Sequence, residues 1–226
     1  METIEKLILD IQAEAQKEYF PIDLDIYTAA RKIPTRPILY AGNLMSEICF
    51  FGRDLGRDEV FAGQPLIGAA GQKVRDGFYQ SLYGQKSTDR NFVNKICCDR
   101  LLLTNTVPYK PPGNKAYTLE VKERFRPFIE RLLVKQWHGN HIITLGTEAF
   151  KWFAPYGDKG EILQFFQRDD KYVAKISVNL TASYQDGQKY ERKITLMPLP
   201  HPSPLNQRYY AQFPKLLENR LDNLDF

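Results

Sequence analysis

Apolar positions along the chain follow two periods. Ile4, Leu7, Ile8 and Ile11 recur at helical spacing, Ala15 continues their stripe, and Phe20-Pro21 ends a helix predicted over residues 3–19. Four short runs are apolar almost throughout: Ile48 to Phe51, Leu101 to Thr104, His141 to Leu145 and Ile194 to Met197. Runs of this length with no polar face predict strands buried on both sides. Helical stretches separate them. Gly68 opens one through about Leu82, and Thr118 has the chemistry of an N-cap for another that reaches about Trp137. Gly146 turns into a third through about Phe153, and a helical pattern resumes from Gln207, broken or restarted at Pro214. A shorter helix is predicted near residues 23–32, then an extended connection from Ile33 to Gly42, and a polar loop from Gly56 to Pro65. Lys171 to Tyr184 is rich in β-formers, and Asp186-Gly187 supplies a hairpin turn into the last strand.

Strands alternating with helices predict an α/β fold, a three-layer αβα sandwich around a central, mainly parallel four-stranded sheet. Residues 1–226 read as a single domain, with residues 1–42 as an N-terminal helical extension and 157–193 as a β-hairpin insertion. Right-handed crossovers bring every strand's carboxyl end to one edge, where open α/β sheets bind ligands. Gly52-Arg53-Asp54, Asn105, Gly146 and His201 all follow predicted strand ends. His201 belongs to Met197-Pro198-Leu199-Pro200-His201-Pro202-Ser203-Pro204-Leu205, a loop stiffened by four prolines. An aspartate there can orient water, an asparagine amide can both donate and accept at a base edge, and a histidine can donate to a developing anion. The plainer reading of Asp54 is a solvated turn residue paired with Arg53 or Arg57.

Composition narrows the setting. No run approaches the roughly 20 apolar residues of a membrane span, and the mixed-charge N-terminus lacks a secretory core, so a soluble cytoplasmic protein without membrane partners is expected. The net charge of +4 permits a polyanionic partner without requiring one. Cys49 lies in an apolar run, and the adjacent Cys97 and Cys98 cannot form a CxxC clip. With His138, His141 and His201 as the three histidines, no metal site is expected.

Four groups of residues then carry a likeness. They are Gly52 to Gly56 with Gly63-Gln64-Pro65-Leu66-Ile67-Gly68-Ala69-Ala70-Gly71-Gln72; Leu103-Thr104-Asn105-Thr106-Val107 with Pro111-Pro112-Gly113-Asn114; Leu145-Gly146; and His201-Pro202-Ser203-Pro204-Leu205. In this order they resemble the uracil-DNA glycosylase superfamily, and within it the bacterial and archaeal branch that often carries an iron–sulfur cluster. The resemblance implies an enzyme of DNA repair that flips a uracil nucleotide out of DNA and cuts its N-glycosidic bond. It implies that Asp54 positions water and His201 stabilises the departing base. Asn105 would read the uracil edge in a base site shared with Leu66, Gly52 and Arg53. Ser203 and Pro202, with Pro65 and Gly146, would grip the DNA, and Leu205 would fill the vacated stack.

The chain also departs from that pattern. Arg53 stands where the cluster-bearing branch has glutamate, while Asp54 matches the aspartate of the branch with a Gly-Gln-Asp-Pro-Tyr motif. Leu66 replaces the usual phenylalanine, and Phe61 is a candidate to supply the missing ring. Tyr109 replaces a cluster cysteine and the N-terminal cysteine pair is missing, so no iron–sulfur cluster or other cofactor is expected. DNA is the expected partner, and a monomer the expected state. A catalytically weak or inactive DNA-binding relative, a glycosylase for another deaminated base such as hypoxanthine, and a phosphate-binding module resting on Gly68 to Gly71 are the alternatives.

Overall fold

A computed structural model describes residues 2–113, 115–184, 187–204, 206–222 and 224. Helix α1 (Ile4–Lys17) starts at Thr3, whose hydroxyl accepts from Lys6 N at 3.2 Å, and α2 (Leu24–Ala29) follows. Then come β1 (Tyr40–Gly42), β2 (Ile48–Gly52), α3 (Arg57–Ala62), α4 (Ala69–Tyr83), α5 (Arg90–Arg100) and β3 (Leu101–Asn105). Helix α6 (Leu119–Arg131) runs into a wider π turn, Leu132–Gln136, before β4 (His141–Leu145) and α7 (Thr147–Lys151). Helix α8 (Lys159–Gln164), β5 (Ile176–Ser183), β6 (Lys189–Leu199), α9 (Gln207–Tyr210) and α10 (Phe213–Leu221) complete the order.

The sheet runs β1-β3-β2-β4-β6-β5. Its middle, β3-β2-β4-β6, is the four predicted runs, all mutually parallel. The expected count of four is therefore corrected to six, by an antiparallel strand at each edge. β1 is three residues long inside the expected connection, too short for a period of two to show. β5 is the first arm of the expected hairpin, and its alternation of buried and exposed residues marks a strand covered on one face only. Asp186 of the predicted turn lies outside the described residues. Three helices escaped the pattern. Among the described residues α3 buries only Val60, α5 only Val93 and Cys97, and α8, inside the expected hairpin insertion, only Ile162, so none carries a readable stripe.

Strand side chains alternate between two cores, which makes the three layers. Cys49, Phe51, Leu102, Ile142 and Leu196 face α1 and α6; Ile48, Phe50, Leu103, Ile143 and Met197 face α4, α5 and α10. The segment ahead of β2 is built into the first core. Leu7 and Ile11 are fully buried, and Phe20 packs on Tyr109 and Phe125 with ring centroids 5.2 and 5.0 Å apart.

That segment also holds the loop after β3. Lys110 is buried, and its Nζ donates to Asp23 Oδ2 at 2.6 Å, Gly113 O at 2.8 Å and Pro111 O at 2.9 Å. Burial raises the Asp23 carboxyl, but hydrogen bonding and charge from Lys110 carry it below its ordinary 3.8. Lys110→Met would take the cation from that carboxylate, leaving it the Ile26 and Gly113 N–H donors, and would take the Lys110 donor from two carbonyls. The expected loss is about 3 kcal/mol, a melting temperature lower by roughly 6–12 °C for a chain of this size, read by thermal unfolding.

Candidate active site

Parallel register sets the site. Gly52 lies level with Asn105 across β2 and β3, and Leu145 with Leu199 across β4 and β6. The loops leaving these ends are then cross-tied: Thr106 N donates to Gly52 O at 3.1 Å and Arg53 O at 3.0 Å, and Gly146 N to Leu199 O at 2.8 Å. Between them opens a cleft of about 420 Å³, lined by Gly52, Arg53, Asp54, Leu66, Asn105, His201 and Ser203. An adjoining cleft shares Arg53, His201 and Ser203 and adds Gly146 and Asn206. Pro65 and Pro202 are buried behind the lining. Phe61 is corrected out of the base site. It sits on α3 beside buried Val60, and successive helical residues diverge by about 100°, so its ring is half exposed outside the cleft. Leu205 and Asn114 lie outside the described residues.

The base wall is made by close approach. A Cβ at Gly52 would stand 2.7 Å from Asn105 Nδ2 and 3.2 Å from Leu66 Cδ2, so only glycine lets the amide and the leucine converge. Asn105 is buried, and its Oδ1 has no hydrogen-bond partner among the described residues. Leu66 has φ 52°, in the left-handed region that a leucine avoids. Its surroundings hold it there. Arg75 Nε donates to Leu66 O at 2.8 Å, and Glu59 Oε1 accepts from Ile67 N at 3.1 Å and Gly68 N at 2.8 Å. Glu59 Oε2 accepts from Gly56 N at 3.0 Å, so one carboxylate ties both halves of the first motif. At Gly71 a Cβ would fall 2.0 Å from Leu66 O, which shows how tightly α4 presses on this turn.

The charged wall centres on Asp54. Its side chain is 4% exposed, and Arg53 Nε lies 2.8 Å from Oδ2. The pairing with Arg53 is as the plainer reading expects; the solvated turn is not, and Arg57 faces Asp58 instead at 3.5 Å. Burial raises the Asp54 pKa above its ordinary 3.8, and the charges of Arg53 and Lys122 oppose this without cancelling it. His201 turns its own surface to the open cleft, but the surrounding protein and then the Arg53 charge hold its pKa below 6.5. The imidazole is therefore neutral at pH 7. Asn206 Nδ2 donates to His201 O at 3.1 Å and steadies its loop.

A family model for the uracil DNA glycosylase superfamily matches residues 39–225. The chain belongs to that superfamily. It is also similar to the type-4 uracil-DNA glycosylase of Archaeoglobus fulgidus, at 23% identity over 193 residues, or 83% of each chain. Superfamily membership makes it a DNA glycosylase-type hydrolase of base excision repair, with DNA as its substrate. No helix among the described residues is long and apolar enough to cross a membrane.

Among the described residues no set of cysteines stands together where the cluster of the resembling branch would need its ligands. At the position of the expected cysteine, Tyr109 is buried and its hydroxyl donates to Thr35 O at 2.8 Å. Cys49 lies inside β2 and Cys97 and Cys98 on α5, and no group of three or more candidate metal ligands occurs among the described residues. Sequence reading had passed over Glu59, Arg75 and Lys122. Glu59 stands three residues after the N-cap Gly56 and accepts from its N–H, half of a capping box, but glycine lacks the N-cap hydroxyl that would have marked it in the sequence. Nothing local marks Arg75, which holds the Leu66 carbonyl, or Lys122, whose charge acts on Asp54, as part of the site's surroundings.

The raised pKa of Asp54 makes its ionised form a cost to folding. Asp54→Asn is expected to raise the melting temperature at pH 7. The advantage should shrink as pH falls through the native Asp54 pKa towards 3.8, where the wild-type carboxyl becomes protonated and neutral too. Equal melting temperatures across that range would contradict the burial argument.

Proposed function

We propose that this protein is a monofunctional glycosylase that excises uracil from DNA by base flipping and hydrolysis of the N-glycosidic bond. One observation carries the reading: a single cleft gathers a buried carboxylate, an unpaired buried amide oxygen and a neutral imidazole. Uracil presents an N3–H donor beside an O4 acceptor, which an asparagine amide matches with Oδ1 and Nδ2. Cytosine offers the opposite pattern at that edge and would leave the buried amide unsatisfied, a penalty of about 1–3 kcal/mol per group. Leu66 supplies apolar contact to the base without π-stacking, and Gly52 and Arg53 complete the base site.

In this reading the C1′–N1 bond breaks with its electron pair leaving on the base. His201 donates a hydrogen bond to the resulting anion, and being neutral it need not surrender its proton. Asp54 faces the cationic sugar and orients the water that adds to C1′; the proton of that water passes to the carboxylate. Ser203, Pro202, Pro65 and Gly146 shape the surface that meets the DNA backbone, and Leu205 is the wedge. The chemistry asks for no cofactor, and one copy of the chain holds every group it names. A DNA-binding relative with little catalysis is the second reading, favoured by the Arg53 contact that covers Asp54.

Uracil-containing oligonucleotides, single- and double-stranded, separate the two by alkali-sensitive cleavage, with hypoxanthine duplexes in the same panel. The wild type is expected to release uracil. Asp54→Asn and His201→Ala should each lower the single-turnover rate by about 10²–10⁴-fold while DNA binding is largely kept. The wild-type rate should fall on the acid side through a carboxyl pKa above 3.8, and the residual rate of Asp54→Asn should lack that limb. No release at high enzyme excess would leave the second reading standing.

Leu205→Ala is expected to slow excision from duplex more than from single strands, because only a duplex has a stack to refill. Equal losses on both substrates would rule out a wedge at this position.

A further inference from the structure

Asp54 lines the cleft, yet neither of its carboxylate oxygens is open to solvent. Arg53 is the cation in contact with them, with Nε 2.8 Å from Oδ2; the Tyr117 backbone and the Lys122 charge also act on the carboxylate. The contact is an ion pair, and no well-aligned hydrogen bond joins the two side chains. The two sides are unequal: the Arg53 side chain is 41% exposed and that of Asp54 is 4% exposed. The arginine backbone, by contrast, is fixed. Its carbonyl accepts from Thr106 N at 3.0 Å and also from Thr106 Oγ1. Arg53 is thus a side chain half in water on an anchored main chain, and it borders the adjoining cleft together with Ser203 and Asn206.

A planar guanidinium binds a phosphodiester through two parallel hydrogen bonds, a better-matched partner than one skewed carboxylate oxygen. We propose that Arg53 is a phosphodiester-operated cover for Asp54: a DNA backbone phosphate entering on the Ser203 side takes the guanidinium, and its departure opens the carboxylate to water. What Asp54 then does rests on the proposed glycosylase reading; the exchange itself does not. The free protein keeps its buried carboxylate neutralised, and only backbone-engaged protein presents it bare. Such coupling confines the reactive arrangement to protein already on DNA.

Arg53→Ala and Arg53→Lys in the full chain test this with two readouts that need no activity. The first is carbodiimide coupling of glycine ethyl ester to Asp54 without DNA, read by peptide mass spectrometry. It should be low in the wild type and several-fold higher in Arg53→Ala. The second is binding of a uracil-free duplex across a salt series. The slope of log K against log salt should shrink by about 0.9 in Arg53→Ala, one phosphate contact, and return in Arg53→Lys, which keeps the charge. Equal Asp54 labelling in the wild type and Arg53→Ala, or an unchanged slope, would overturn the exchange. Failure of the wild type to release uracil would instead overturn the glycosylase reading, leaving both readouts to decide the cover on their own.

Discussion

The empty space above Gly52 is the constraint on which the cleft depends. Parallel pairing of β2 with β3 puts Gly52 and Asn105 at one level, and the missing side chain lets the amide swing over the strand end. Leu66 closes on the same point from the turn before α4. A Cβ at position 52 would force the Asn105 amide to shift and would press Leu66 back by a few tenths of an ångström. Sheet register, one glycine and one strained leucine together therefore define the shape of the base site. The catalytic candidates then fall into place because their strands end at the same edge.

Buried cations hold the loops around that edge. Arg75 donates to the carbonyls of Pro65 and Leu66, Lys110 to those of Pro111 and Gly113, and Arg220 to those of Ala174 at 2.9 Å and Pro198 at 3.0 Å. Burial lowers the Arg220 pKa to about 10, a sign of how little compensating charge surrounds it. Loop carbonyls cannot be satisfied by a helix or a sheet ladder, and one guanidinium or ammonium can serve several at once. The expense is desolvation of the cation; the return is loop geometry rigid enough to keep Leu66 in a backbone region it would otherwise leave.

The parallel centre of the sheet was legible because its strands are buried on both faces and read as unbroken apolar runs. The strand ends located Asp54, Asn105 and His201, since side chains that follow parallel strands share an edge whatever the intervening helices do. What stayed hidden has a common cause. β1 and α3 are too short for a period to repeat legibly, and α5 buries too few residues to show a stripe. Phe61 read as a loop residue near the base and is instead turned aside by a helix. Asp54 also allowed a plainer reading as a solvated turn residue, because groups that act on its buried carboxylate, the Tyr117 backbone and the Lys122 charge, lie far along the chain, where sequence proximity does not reveal them. The strain at Leu66 is likewise imposed from outside, by Glu59, Arg75 and Gly71.

Tyr109 closes its part of the core with carbon. Its ring packs on Phe20 and Phe125, and burial keeps its phenol protonated. Burial also pushes the Cys49 thiol well up and that of Cys97 to about 12, so neither presents a thiolate at neutral pH. An oxidant reaching either core would find rings and protonated thiols. Cys49 and Cys97 are therefore poor targets for oxidation while the two cores stay closed.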